Sequence, residues 1–429
     1  MQPLIFLFYC LSANNRLSCH RTMSSKASTT LKAKSNKRPH PQSSACSNRP
    51  QRRSEDDTAN KGTKDYGKAA VDSSASSNFS FRAISHASET RTLTDGVALA
   101  VPSEQQSVIM PCVGFGTYKL GEKHSYTATL DALRAGYRAI DTAFIYGGET
   151  TERAVGRALQ TALQEGTLCN RNQVFVTTKQ WRKHHGYEAT KQCCATSLQR
   201  LQCTYIDLYL MHWPGPAYTT MNRRKDLIAE HGPWYYASTL PDDMAALRAA
   251  TWRAMEDLQS EGKVRAIGVS NFTVQHLQTL KQTARVWPPA VNQVECHPLF
   301  PQAELRDYCQ KEGIVLQAYA ALGGQDGSKK KWLELFKTPN CTLLSCNVVT
   351  QIAKECKKTP AQVLLRYALQ RNCAVIPKTT NRQRMEENAT VFDFTLTDAH
   401  MQALYALALP NQQGRLCWRT DPLRSLDFE

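Results

Sequence analysis

The sequence predicts an α/β fold, a (β/α)8 barrel of the TIM type with an N-terminal hairpin and a disordered N-terminal extension. Three observations carry that expectation. Eight short, almost continuously apolar runs follow residue 110, amphipathic segments of helical period lie between them, and the composition changes abruptly near residue 91. Continuous apolar runs suit strands buried on both faces, as parallel strands covered by helices are. Eight strand–helix alternations in about 300 residues favour a closed barrel over an open sheet.

The front of the chain reads differently. Residues 1–90 hold 14 Lys/Arg against 6 Asp/Glu, half of the net +16 carried by all 429 residues. This stretch is rich in Ser and poor in large apolar residues after Leu17, so it cannot bury enough surface to offset the entropy of ordering it. It is expected to be a disordered tail, with residues 91–429 as the barrel domain. A solvated tail without a partner is the plain reading, although a basic tail also attracts polyanions non-specifically. The mild charge of the remainder suits an anionic small molecule and gives no sign of nucleic acid.

Targeting signals are weak. Met1–Leu11 is apolar but lacks the basic start and small-residue cleavage site of a secretion signal, whereas the acid-free, Arg/Ser-rich stretch before Glu55 has the look of a mitochondrial presequence. Fifteen cysteines with no CxxC pair suggest reduced thiols and a cytoplasmic protein. No metal-ligand spacing is present, so no metal is expected. No run of about 18 apolar residues exists, so no membrane span is expected either.

Taken in order, Asp95-Gly96 reads as a hairpin turn ahead of the first barrel strand. The strand-like runs are Cys112–Thr117, Arg138–Ala143, Val174–Lys179, Ile206–His212, Ala266–Asn271, Ala290–Glu295, Ile314–Ala320 and Ala374–Lys378. Between the second and third, Glu152–Gln164 places Ala154, Val155, Ala158, Leu159, Ala162 and Leu163 on one helical stripe, and Gly166 provides a stop. Trp252, Met255 and Leu258 form a similar stripe before Gly262. Thr359-Pro360 opens another helix with a cap residue and an N1 proline. Gly215–Met244 is a long loop after the fourth strand, more in keeping with a lid than with filler.

In a barrel of this kind chemistry sits at the carboxyl ends of the strands. Polar residues stand at or near those ends: Asp141 in the second run with Tyr146 close behind, Lys179 in the third, His212 in the fourth, Ser270-Asn271 in the fifth, Asn292-Gln293 in the sixth and Lys378 in the eighth. Any one of these alone is explained by a salt bridge, a cap or a hydrogen-bonded core histidine. Asp, Tyr, Lys and His at the mouth of one barrel are harder to explain that way.

The segments AIDTAFIYGGE, VFVTTKQ, DLYLMHWP, GKVRAIGVSNF, VECHP and VIPKTTNRQRMEEN, in that order, resemble the signature segments of the aldo-keto reductase family, from about residue 92 to the C-terminus. The resemblance implies NADPH-dependent reduction of aldehydes and ketones, with Tyr146 as proton donor. A free phenol has a pKa of about 10, and Lys179 beside it would stabilise the phenolate and lower that value. Asp141 would hold the ammonium, and His212 would orient the carbonyl oxygen. The resemblance also implies that Ser270, Asn271 and Gln293 bind the carboxamide, that Tyr319 stacks on the nicotinamide and that Asp326 clasps the pyrophosphate. Lys378, Thr379 and Arg384 would hold a 2′-phosphate, and Glu387 and Asn388 the adenine. Two cations suit a dianionic phosphate, which favours NADPH over NADH.

One departure is Tyr319-Ala320-Ala321, where the family often has Ser-Pro after the tyrosine, so one hydroxyl contact is lost. Gly114-Phe115-Gly116 lacks the third glycine of a dinucleotide fingerprint, which disfavours a Rossmann site. Tyr118, Phe144, Trp181 and Trp213 are candidate walls of an apolar substrate pocket, with Trp418 able to close it; aromatic residues also fill ordinary cores. A monomer acting on a small-molecule carbonyl is expected. The alternatives are an NADPH-binding redox sensor or scaffold, and an enzyme running mainly as an alcohol dehydrogenase.

Overall fold

Residue alternation along the strands decides which side chains meet at the site. The computed structural model describes residues 92–102, 107–215, 244–324, 335–336, 341–410 and 413–417. The tail expected over residues 1–90, most of the loop after the fourth strand, Asp326 and Trp418 lie outside the described residues.

Among the described residues, eight parallel strands lie side by side in chain order. They are β3 (Phe115–Gly116), β4 (Ala139–Asp141), β5 (Phe175–Gln180), β6 (Ile206–Met211), β7 (Val264–Ser270), β8 (Val291–Glu295), β9 (Val315–Tyr319) and β10 (Cys373–Val375). All eight fall on the runs read from the sequence: β6, β8, β9 and β10 are one or two residues shorter, β3 and β4 are shorter still, β5 is shifted by one residue and β7 begins two residues earlier. Closure comes from a parallel bridge between Val113 and Val375. There Gly114 N donates to the Val375 carbonyl at 2.8 Å, Val375 N to Cys112 at 2.8 Å and Gly116 N to Pro377 at 3.0 Å. The molecule is a (β/α)8 barrel.

Helices cover the outside as their periodicity requires. Thr151–Gln164 buries Ala154, Val155, Ala158, Leu159 and Ala162 while Arg153 and Arg157 stay exposed, and Gly166 follows at φ +80°. Thr359 caps Pro360–Gln370 in a capping box with Gln362. Trp252, Met255 and Leu258 are buried along Met244–Ser260.

The hairpin differs from expectation. β1 (Gly96–Leu99) pairs antiparallel with β2 (Val108–Pro111), Gly96 opposite Pro111 and Leu99 opposite Val108. Asp95-Gly96 therefore leads into the first hairpin strand, and the chain reverses between Leu99 and Val108. The local turn signalled by Asp95 spans Thr92–Asp95, where Asp95 N donates to the Thr92 carbonyl at 3.1 Å.

Side-chain alternation then sorts the barrel into layers. Leu208 and Leu210 join Ala139, Phe175, Ala266, Val291 and Ala374 in an interior cluster closed by Leu99, Val108 and Met110 of the hairpin, whereas Tyr209 and Met211 face the helices. Continuing the inward-facing parity toward the carboxyl ends brings Asp141 after Ala139, Lys179 after Phe175 and Thr177, and His212 after Leu210. On the later strands it brings Ser270 after Ala266 and Gly268, and Gln293 after Val291. The interior is apolar at the plugged end and polar at the open end.

Candidate active site

The polar layer is held together by one buried ion pair. Lys179 Nζ lies 2.6 Å from Asp141 Oδ1, and both residues are almost fully buried. The ammonium also donates to the Thr142 carbonyl at 2.8 Å and to the Tyr146 hydroxyl at 3.3 Å. On the other side Gln293 Nε2 donates to Asp141 Oδ2 at 2.7 Å and to Gln317 Oε1 at 2.7 Å. The carboxylate thus has a partner on each oxygen, which is what a buried charge demands.

Rings complete the mouth. The Tyr146 ring stands edge-on to His212 at 5.9 Å and tilted against Tyr118 at 5.0 Å, and Trp181 meets His212 at 5.4 Å. The structure therefore brings Asp141, Tyr146, Lys179 and His212 to one end of one barrel. His212 Nδ1 is buried with no hydrogen-bond partner among the described residues.

Burial dominates the protonation states. It pushes the Tyr146 phenol well above its ordinary value near 10, with the Asp141 charge adding to the shift. This is opposite to the lowering expected from the ammonium alone, because exclusion of water outweighs the nearby positive charge. Burial likewise pulls Lys179 below its ordinary value, against the attraction of Asp141. His212 is held far below the usual imidazole range by burial, and then by the charges of Lys179 and Arg182. A neutral imidazole and a protonated phenol result.

The residues expected at a cofactor divide into two groups. Ser270 Oγ donates to the Gln293 carbonyl at 2.7 Å; Asn271 Nδ2 donates to the His212 carbonyl at 2.9 Å, and Tyr319 OH donates to Asn271 Oδ1 at 2.8 Å. These form a tight belt beside the tetrad, with Asn271 in the left-handed region at φ 63°. Lys378 is exposed in the segment after β10, and Arg384 is exposed in the first turn of the helix Arg382–Ala389, where Asn381 caps the Arg384 amide at 2.9 Å. Thr379 Oγ1 accepts from Asn381 N at 3.1 Å, Glu387 accepts from Gln383, and Asn388 is buried.

The expected pocket walls also differ from one another. Tyr118 and Trp181 are half-buried at the mouth. Phe144 is almost wholly buried beneath the Arg200 guanidinium at 4.2 Å, and Trp213 packs against Arg182 at 4.8 Å. Sequence reasoning missed Thr142, Gln317 and the Asp141–Gln293 contact. Inward parity could have flagged Gln317, but nothing local signals a bond across the barrel.

Among the described residues no cluster of ligands could hold a metal ion, no helix is long and apolar enough to cross a membrane, and every cysteine is free.

Comparisons with known proteins agree with this architecture. The aldo/keto reductase family model matches residues 112–408. A zebrafish (Danio rerio) aldo-keto reductase family 1 member A1-A is 39% identical over 298 residues, covering 69% of this chain and 85% of that protein. The glyoxal reductase of Bacillus subtilis is 39% identical over 309 residues, covering 72% and 92%. The crystal structure of an aldo/keto reductase from Brucella melitensis superposes with a TM-score of 0.57 at 33% identity, covering 73% of this chain and 99% of that one. The chain belongs to the aldo/keto reductase family, oxidoreductases that act on carbonyl groups with nicotinamide cofactors.

Proposed function

We propose that this protein reduces aldehydes and ketones with NADPH, and that Tyr146 gives its proton to the carbonyl oxygen. The observation that carries the reading is the contact chain from Asp141 through the Lys179 ammonium, at 2.6 Å, to the Tyr146 hydroxyl, at 3.3 Å. Burial keeps the phenol protonated until a developing alkoxide draws the proton away. The ammonium then stabilises the phenolate left behind, and Asp141, anchored by Gln293, keeps the ammonium in place. His212, neutral and with a free ring nitrogen, orients the carbonyl oxygen toward the phenol.

The donor set fits NADPH. Two exposed cations, Lys378 three residues before the helix cap Asn381 and Arg384 in the first turn after it, form no ion pair among the described residues, an arrangement suited to a dianionic phosphate. Thr379, Glu387 and Asn388 surround the same segment and would hold the adenosine end. Ser270, Asn271, Gln293 and Tyr319 would hold the nicotinamide end, and Asp326 would clasp the pyrophosphate. When bound, the cofactor supplies a hydride to the carbonyl carbon.

The half-buried rings of Tyr118 and Trp181, packed against Tyr146 and His212, favour carbonyls with apolar bodies. The name of the Bacillus subtilis relative, a glyoxal reductase, supports including dicarbonyls. Following NADPH absorbance with the full chain against aromatic aldehydes, dicarbonyls and simple sugars tests the proposal. Turnover is expected with the first two classes. Faster turnover of sugars would overturn the apolar pocket, and tight NADPH binding with no consumption would favour a sensor or scaffold.

A further inference from the structure

The loop that carries Tyr146 has an unusual backbone. Gly147, Gly148 and Glu149 follow one another at φ 60°, 63° and 75°, all in the left-handed region. Glycine adopts that region freely, but Glu149 has a Cβ and is strained there. A strained residue persists when its surroundings hold it. Glu149 is held by its side chain: Arg200 Nη2 lies 2.7 Å from Oε2 and Lys183 Nζ 3.3 Å from Oε1.

Arg200 reaches well beyond that contact. Its guanidinium sits 4.2 Å over the ring of Phe144, so it grips the loop two residues before Tyr146 as well as three residues after it. Its Nη1 lies 3.4 Å from Oε2 of Glu152, a fully buried carboxylate. Glu152 Oε1 in turn accepts from Thr178 Oγ1 at 2.7 Å. Thr178 is the neighbour of Lys179 on β5. A continuous polar path therefore joins the loop bearing the phenol to the strand bearing the ammonium, on the side of the sheet away from the pocket.

We propose that Arg200 and Glu149 are positioning residues that clamp the Tyr146 loop against β5 and so set the distance from the Tyr146 hydroxyl to Lys179. This rests on Tyr146 as the proton donor. Misplacing a reacting group by about 1 Å can cost about a hundredfold in rate, so a modest slackening of the loop reads out in turnover.

Glu149→Gly separates this role from a purely structural one. Glycine relieves the backbone strain while deleting the side chain that Arg200 and Lys183 hold. The clamp predicts an unchanged or higher Tm, NADPH binding by fluorescence quenching within about twofold of wild type, little change in KM and a kcat lower by about tenfold or more. Arg200→Lys should recover part of the kcat that Arg200→Met loses. Full kcat in Glu149→Gly would overturn the clamp, and so would a loss of kcat matched by losses in Tm and cofactor binding. Tyr146→Phe measured alongside keeps the two claims apart. If it keeps turnover, the donor assignment fails; if it is inactive while Glu149→Gly is fully active, the clamp alone fails.

Discussion

Lys179 Nζ sits 2.6 Å from Asp141 Oδ1 where water is excluded from both groups, so each charge is tolerated because the other is there. Removing one partner of a buried pair leaves an uncompensated charge and costs about 3–5 kcal/mol. Asp141→Ala should lose that much unfolding free energy in urea titrations. Asp141→Asn, which keeps an oxygen for the ammonium, should lose less. Wild-type stability in both variants would contradict the burial of a charged pair.

Lys378 and Arg384 lie exposed in the segment proposed to hold the adenosine end of the cofactor. A hydrogen bond to a charged group contributes about 1.5–3 kcal/mol, roughly a tenfold to hundredfold change in affinity. Arg384→Ala should weaken NADPH by about that factor and leave NADH nearly unchanged in a fluorescence titration. Equal losses for both cofactors would remove the 2′-phosphate from this position.

Three imidazoles are held neutral by full or partial burial. Burial, with Arg182 and Arg248 nearby, lowers His185 to about 3; burial with Arg248 lowers His276 to about 3, and burial with Lys183 lowers His184 to about 4. The unfolded chain takes up protons below its ordinary imidazole value of 6.5, while the folded chain refuses them until far lower pH. Their contribution is fully present above pH 6.5 and is lost as pH falls toward 4 and then 3, at roughly 1.4 kcal/mol per pH unit for each group. Tm should decline steadily from pH 6.5 to 4.5, with a shallower slope in His185→Gln. A flat Tm across that window would contradict the burial of neutral imidazoles.

The sequence made the strands legible because each is buried on both faces and so reads as an unbroken apolar run. Position at or near the carboxyl ends of those runs carried the same legibility to Asp141, Lys179 and His212. Thr359-Pro360 was readable as a helix start because a cap hydroxyl and a proline lacking an N–H satisfy purely local requirements. Asp95-Gly96 misled for a related reason: the pair marks a turn, but which segments flank the reversal is decided by pairing with Val108–Pro111. The Gln293–Asp141 bond spans 152 residues and depends on the curvature that brings β8 opposite β4. The upward shift of the Tyr146 phenol depends on how completely the fold excludes water, which no local pattern records.

Proton donation by Tyr146 is tested most directly by comparing wild type with Tyr146→Phe, measuring kcat for NADPH oxidation with a saturating aromatic aldehyde and NADPH affinity in the same preparations. Loss of one hydroxyl should lower kcat by at least about a hundredfold, in line with the contribution of a positioned general acid, while NADPH affinity stays within about twofold. A variant that turns over at a rate near that of wild type would contradict the account.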